Sequence, residues 1–309
     1  MGGSGGGYFR GKGDLSSFTR MIKDSEAQSR DDAYETSVNQ ALGDLLKDFN
    51  SRDVSGTKEI LDDIKKELSD VIGETVDLTF GGSVSKHTYL EGLSDTDALV
   101  ILNPDKSESV FPKLLKNRFA KRLGEVYGSE NVRTGKLAVT VTVRGKEIQL
   151  LPAIQLKGSL RIPSPNGQIW SRINPKGFAC KLTQANKNQD GKLIPCIKLA
   201  KAMIVFLPKK QQLKGYHIES LAIEAFKRYD GPKTYKAMTT HFFEKAPELV
   251  KSPIKDKTGQ SLYVDEYLGK EKSNERRIVS HALKRLHRKI VNADAAGNPD
   301  AWTELVSPK

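Results

Sequence analysis

Apolar residues recur at two different spacings along the 309-residue chain. In the first part, Val38, Ala41, Leu42, Leu45, Leu46 and Phe49 share one face of a helix predicted over 32–49, and Ile60, Leu61, Ile64, Leu68 and Val71 share one over 57–72. Thr57 offers the second helix a capped start. A short strand at 75–80 runs into Gly81-Gly82-Ser83, where a helix opening at Ser83 is expected. Asp95-Thr96-Asp97 then introduces the apolar run 98–102, read as a buried strand stopped by Asn103-Pro104. An amphipathic helix over 110–127 sets Leu114, Leu115, Phe119, Leu123 and Val126 against Lys113, Lys116, Arg118, Lys121 and Arg122. Strands at 137–143 and 147–151 meet through Arg144-Gly145. Beyond Pro152 a loop-rich bridge at 159–170 leads to helical patterns at 175–187, 193–207, 216–229, 233–245 and 274–291. The expected organisation is a glycine-rich arm at 1–13, a mixed α+β lobe at 14–158 and a helical lobe at 159–309.

Composition adds a charge asymmetry. The chain carries 50 Lys+Arg and 38 Asp+Glu, a net +12, with 21 and 24 of them in residues 1–150 and 29 and 14 in 151–309. The second half alone is therefore +15. That excess suits either a solvated basic surface or a polyanionic partner. No apolar run approaches the roughly 20 residues of a membrane helix, and the first residues lack the apolar core of a signal peptide, so a cytoplasmic protein with no membrane partner is expected. Cys180 and Cys196 make neither a disulfide framework nor a metal quartet and read as buried thiols on helices.

The chemistry concentrates between Gly81 and Val100. Asp95 and Asp97 stand two apart at the start of a strand, so their carboxylates project from one face. Such a pair calls for a cation, and Mg²⁺ suits hard oxygen ligands shared with phosphates. Gly82 permits close backbone approach to a ligand, and the Ser83 hydroxyl adds a donor. Together they describe a pocket for a nucleoside triphosphate and metal.

Gly82-Ser83, Thr88, Ser94-Asp95-Thr96-Asp97 and the strand that follows resemble the signature of the DNA polymerase β-like nucleotidyltransferases. Leu150-Leu151-Pro152-Ala153-Ile154, Asn174-Pro175, Pro195-Cys196-Ile197-Lys198-Leu199-Ala200-Lys201 and Gly215-Tyr216-His217-Ile218-Glu219-Ser220-Leu221-Ala222 are similar to the bacterial cGAS/DncV-like nucleotidyltransferases (CD-NTases) of CBASS anti-phage defence. The resemblance spans roughly 35–245. It implies a two-lobed fold, a mixed-sheet catalytic core beside a helical-bundle lobe. It also implies two Mg²⁺ (or Mn²⁺) ions on Asp95 and Asp97, Lys201 on the triphosphate, and Tyr216 either under a base or in the core. Lys198 and Lys201 are expected to face the cleft; His217 is expected to be structural. The third carboxylate of the family falls at Gln149, with Glu147 two residues earlier on the same face. A natural variant, a shift to Glu147 and a substitution that traps substrate all remain open.

On the last long helix, Ile278, Ala282, Leu286 and Ile290 are expected to face a core. Arg276, Arg277, Lys284, Arg285, Arg288 and Lys289 are left for solvent or a partner, joined by Lys113, Lys116, Lys121 and Arg122 in a stripe for RNA or DNA. The functional expectation is a monomeric enzyme joining nucleoside triphosphates into a cyclic di- or trinucleotide that switches on a CBASS effector, with RNA as an activator. Transfer to an RNA or protein acceptor, and a nucleic-acid-sensing module without turnover, are the alternatives.

Overall fold

The computed structural model describes residues 14–51, 54–72, 76–90, 96–102, 111–164, 166–256, 258 and 263–306. Among these, seven strands form one mixed sheet: β1 (Val76–Phe80), β2 (Thr96–Leu102), β3 (Val132–Thr134), β4 (Val139–Val143), β5 (Lys146–Leu156), β6 (Ser159–Pro163) and β7 (Trp170–Ile173). The order is β1-β2-β5-β4-β3, and β6 pairs with the far end of β5 and with β7. β2 and β5 run parallel, while the other pairings are antiparallel.

Side-chain alternation gives this sheet two unlike faces. Ala98, Val100 and Leu102 of β2, the three valines of β4, and Ile148 and Leu150 of β5 pack on Ile60, Ile64 and Leu68 of α2 (Val54–Ile72) and on Leu115, Phe119 and Leu123 of α3 (Pro112–Tyr127). Each such side chain, fully buried, contributes about 1.5–3 kcal/mol against the entropy of ordering it. The opposite parity puts Asp97, Leu99, Glu147 and Gln149 on the other face.

A second core is helical. It unites α1 (Asp14–Asn50), α4 (Pro175–Asn188), α5 (Leu193–Val205), α6 (Gly215–Ala225), α7 (Tyr235–Leu249), α8 (Asn274–Ala295) and α9 (Pro299–Val306). The first helix thus joins the last ones: Val38, Leu42 and Leu46 of α1 are buried there, and Trp302 of α9 donates to the Tyr34 hydroxyl at 3.1 Å. At the start of α4, Pro175 fits the first helical position and Asn174 Oδ1 accepts from Gly177 N at 2.9 Å.

Several expectations are corrected. α2 begins at Val54, ahead of any cap at Thr57. No helix opens at Ser83; residues 82–87 form successive turns, with positive φ at Gly82 (48°) and His87 (59°). The bridge at 159–170 contains β6 and reaches β7, a hairpin whose turn is held by Ser164 Oγ donating to Asn166 Oδ1 at 2.6 Å. Leu114, Val126 and Ile278 are exposed (47%, 40% and 37%), because Leu115 and Val279 lie on the inward faces instead. Cys180 is exposed; Cys196 is buried, and burial pushes its thiol up to about 12. Among the described residues no helix is long and apolar enough to cross a membrane.

Arg276 is the largest correction. It is fully buried instead of offered to a partner, and its guanidinium gathers the connection between α7 and α8. Nη1 donates to Asp265 Oδ2 at 2.7 Å and to Val250 O at 3.0 Å, Nη2 to Gly269 O at 3.0 Å, and Nε to Lys270 O at 3.1 Å. Removing one partner of a buried pair strands the other charge at a cost of about 3–5 kcal/mol. Arg276→Met is therefore expected to lower the thermal midpoint steeply, and Asp265→Asn to do so less, since its amide still accepts. Differential scanning fluorimetry checks both; an unchanged midpoint for Arg276→Met would show that the network is dispensable.

Candidate active site

The cleft between the two cores has a volume of about 330 Å³. Gly82, Ser83, Lys86 and Asp97 contribute from the sheet side, and Lys201, Gly215, Tyr216 and Glu219 from α5 and α6. Its floor follows from strand register. Asp97 of β2 is the register partner of Gln149 in the parallel strand β5, and Gln149 is also paired with Thr140 of β4. Asp97 and Gln149 therefore occupy neighbouring positions on the face turned from α2 and α3. Glu147 shares that face but pairs with Thr142 and forms an ion pair with Arg133 of β3. Asp95 lies outside the described residues.

Glycine at 82 is required twice. Its φ is positive, and a Cβ there would sit 1.7 Å from Oδ2 of Asp97. The neighbouring Gly81 N donates to the Asp97 carbonyl at 2.8 Å, so the turn is fastened to the strand it faces.

The opposite wall is organised by Glu219, which has no exposed surface. Lys86 pairs with it, Thr88 Oγ1 donates to Oε1 at 2.5 Å, and Lys201 Nζ donates to Oε1 at 2.8 Å and to Thr88 Oγ1 at 2.9 Å. Burial alone would raise the Glu219 carboxyl, but the two ammonium groups outweigh it and hold it below the ordinary value. Burial lowers Lys201, with Glu219 opposing. Lys201 lines the cleft, as expected, yet it is 7% exposed and tied to Glu219 rather than free. Lys198, one turn earlier, does not reach the cleft and donates to Asn50.

Tyr216 also lines the cleft. Its ring lies 4.3 Å from that of Phe178, its hydroxyl donates to Asp256 at 3.2 Å, and Lys86 Nζ stands 5.2 Å from its centroid. His217 is fully buried, with Nδ1 3.0 Å from the Tyr267 hydroxyl, and burial takes its pKa down to about 4. It is structural. Lys86 and Glu219 had no assigned role in the sequence reading, although both fall inside motifs singled out there; the signal was a cation and an anion in two segments that the fold brings together.

The expected nucleic-acid stripe is divided. α3 packs on the sheet and α8 on α7 and α9, in separate cores. Arg122 pairs with Glu67 at 2.7 Å and lies near Glu125, Lys121 lies 3.9 Å from Glu125, and Lys116 donates to the Gly135 and Lys136 carbonyls. Lys284 pairs with Glu248 at 3.0 Å and Arg285 donates to Gln211 at 2.5 Å. Lys113, Arg277, Arg288 and Lys289 are exposed.

Residues 36–186 match the model of the Second Messenger Oligonucleotide or Dinucleotide Synthetase domain. CdnC of E. coli MS115-1, solved with ATP, is similar over 89% of this chain and 98% of its own, at 15% identity and a TM-score of 0.66. DncV of Escherichia coli in its 3′-deoxy GTP bound form covers 97% and 92% at 12% identity and a TM-score of 0.63. The Rhodothermus marinus CdnE c-UMP-AMP synthase with Apcpp and Upnpp covers 82% and 95% at 16% identity and a TM-score of 0.57. No match was found among curated proteins. At these identities the solved structures establish the two-lobed fold. The match to the Second Messenger Oligonucleotide or Dinucleotide Synthetase domain thus covers residues 36–186, and the likeness of fold to the solved structures extends over most of the chain.

Proposed function

We propose that the protein is a cytoplasmic enzyme that joins nucleoside triphosphates into a cyclic di- or trinucleotide and thereby signals to a downstream effector in CBASS anti-phage defence. In each step a ribose hydroxyl oxygen would bond to an α-phosphorus while the bond to the β-phosphate breaks, releasing pyrophosphate; the hydroxyl proton is lost to solvent. The observation that carries this reading is the placement of Asp97, in register with Gln149 and close against Gly82, in the cleft that Lys201 and Lys86 also line.

Among the described residues no three His, Cys, Asp or Glu side chains gather as a metal site. The donor set would instead combine Asp97 with Asp95 and with the amide carbonyl of Gln149, hard oxygens that fit Mg²⁺ or Mn²⁺. Two bound ions would ease loss of the hydroxyl proton and neutralise charge on the leaving pyrophosphate. The chain's own part is positional and electrostatic. Lys86 and Lys201 against one Glu219 leave this wall with a net positive charge for a triphosphate. Ser83 adds a hydroxyl beside it. The Tyr216 ring, braced by Phe178 and Asp256, offers a surface for a base.

Arg277, Arg288 and Lys289 of α8, with Lys284 and Arg285 once their surface partners yield, form the basic face proposed for an RNA activator. Such binding would weaken with salt.

Incubating the purified protein with labelled nucleoside triphosphates and Mg²⁺ or Mn²⁺, with and without RNA, tests the activity. A phosphatase-resistant product is expected, and its absence under every condition would overturn the reading. Asp97→Asn is expected to cut product formation on the order of 10²–10³-fold, the scale of losing one group that stabilises transition-state charge. Gln149→Asp adds a carboxylate beside Asp97 and is expected to raise turnover at limiting metal about tenfold, equivalent to about 1.4 kcal/mol. A fall in turnover would mark glutamine as the working ligand. Gly82→Ala should abolish product while the protein still melts cooperatively, because the clash falls on the Asp97 carboxylate and not on either core.

A further inference from the structure

A second cavity, of about 560 Å³, shares no lining residue with the cleft. α1, α7, the first turn of α5 and the segment 87–89 enclose it. Its size falls within the roughly 300–1,000 Å³ of small-molecule sites. Three rings line it, Phe49, Tyr89 and Tyr235, together with the cationic side chains of Lys47 and Lys198 and the imidazole of His87. Among the described residues no carboxylate lines it.

The electrostatics of this cavity favour an anion. Lys198 is only 8% exposed and is held in place through Asn50. Ile194 and Pro195 lie in the first turn of α5 and Tyr235 is the first residue of α7, so two helices direct their positive ends at the same space. Lys192 stands 4.5 Å from the Tyr235 ring centroid and adds to the potential. Lys47 is paired with Asp44 at 2.7 Å, but that pair is exposed and screened by water. The rings call for a planar ligand, and the amides of Gln40 and Asn50 in the lining suit the edge of a base.

We propose that this cavity binds a nucleoside monophosphate as a regulatory ligand, separate from the substrate cleft. The two spaces share their partition. Lys86 and Thr88 bind Glu219 on the cleft side, whereas His87 and Tyr89 line the second cavity; on α5, Lys201 belongs to the first and Lys198 to the second. A ligand that shifts segment 86–89 thus changes the setting of Glu219, and linkage makes the effect reciprocal.

Calorimetric titration with AMP in EDTA tests the site without requiring turnover, so its result stands apart from that of the synthesis assay. AMP is expected to bind Asp97→Asn as it binds the unaltered protein, while adenosine and inorganic phosphate bind more weakly. Lys198→Met should weaken AMP roughly tenfold to a hundredfold, the loss of one charge-assisted hydrogen bond. Lys47→Glu, at an exposed position, should weaken it too, with an unaltered thermal midpoint as the control for the fold. AMP should also change the affinity for a non-hydrolysable triphosphate in Mg²⁺, and Lys198→Met should remove that change. The proposal fails if millimolar AMP gives no heat, if Asp97→Asn abolishes the binding, if Lys47→Glu leaves AMP affinity unaltered, or if bound AMP leaves triphosphate affinity unmoved.

Discussion

A single carboxylate with no exposed surface, Glu219, fixes how the two cores face each other. It belongs to α6 of the helical core, while Lys86 and Thr88 come from the segment between β1 and β2 and Lys201 from α5. A buried carboxylate without partners would cost several kcal/mol and take up a proton. Here two ammonium groups and a hydroxyl meet it, and the ionised form is retained. The consequence is directional. Cations outnumber the anion in this cluster, and both Lys86 and Lys201 line the cleft. The same contacts that join the lobes therefore leave this cleft wall with an excess of positive charge.

The other wall depends on backbone pairing instead of buried charge. Because β2 and β5 are parallel and in register from Thr96 opposite Ile148 to Leu102 opposite Ile154, Asp97 can only be the neighbour of Gln149. A slip of one residue would exchange the apolar face for the polar one and expose Ala98, Val100 and Leu102. The α2 and α3 core consequently fixes the site's geometry from the far side of the sheet. Gly82 completes the arrangement by leaving room where any side chain would collide with the Asp97 carboxylate.

Most of this was legible in the sequence, for reasons that differ by element. Helices α5 and α8 were marked by long periodic patterns, and β2 by an uninterrupted apolar run. Gly82, Ser83 and Asp97, all inside short motifs, line the cleft together. What stayed hidden depends on distant partners. The hairpin of β6 and β7 has no strong alternation of its own and gains its strand character by pairing with the end of β5. The expected helix at Ser83 is instead a turn, with positive φ at Gly82 and His87, entered through the Gly81 bond to Asp97 of β2 and closed by local bonds such as His87 N to Val84 O. Arg276 sits on the same helix as exposed arginines, and contacts from Val250, Ser252, Asp265, Gly269 and Lys270 make it internal.

The charge of the second half acquires a different meaning once its members are placed. A net of +15 suggests a broad basic surface. Yet Arg276 is neutralised by Asp265 inside the protein, Lys201 is bound to Glu219, Lys198 is buried against Asn50, and Lys236 bridges Glu35 and Asp294. These cations hold parts of the structure to one another, including α1 to α7 and α8, so they contribute to cohesion more than to the outer field. The pairs within the second half already cancel in that count, so the surplus stays with its other cations, among them the exposed Lys176, Lys181, Lys209, Lys210 and Arg228. α8 carries part of it, in Arg277, Lys284, Arg285, Arg288 and Lys289, while the buried Lys201 and Lys198 line the two cavities. Sign of charge alone therefore does not locate a basic site, while burial separates the cations that hold the fold together from those left at the surface.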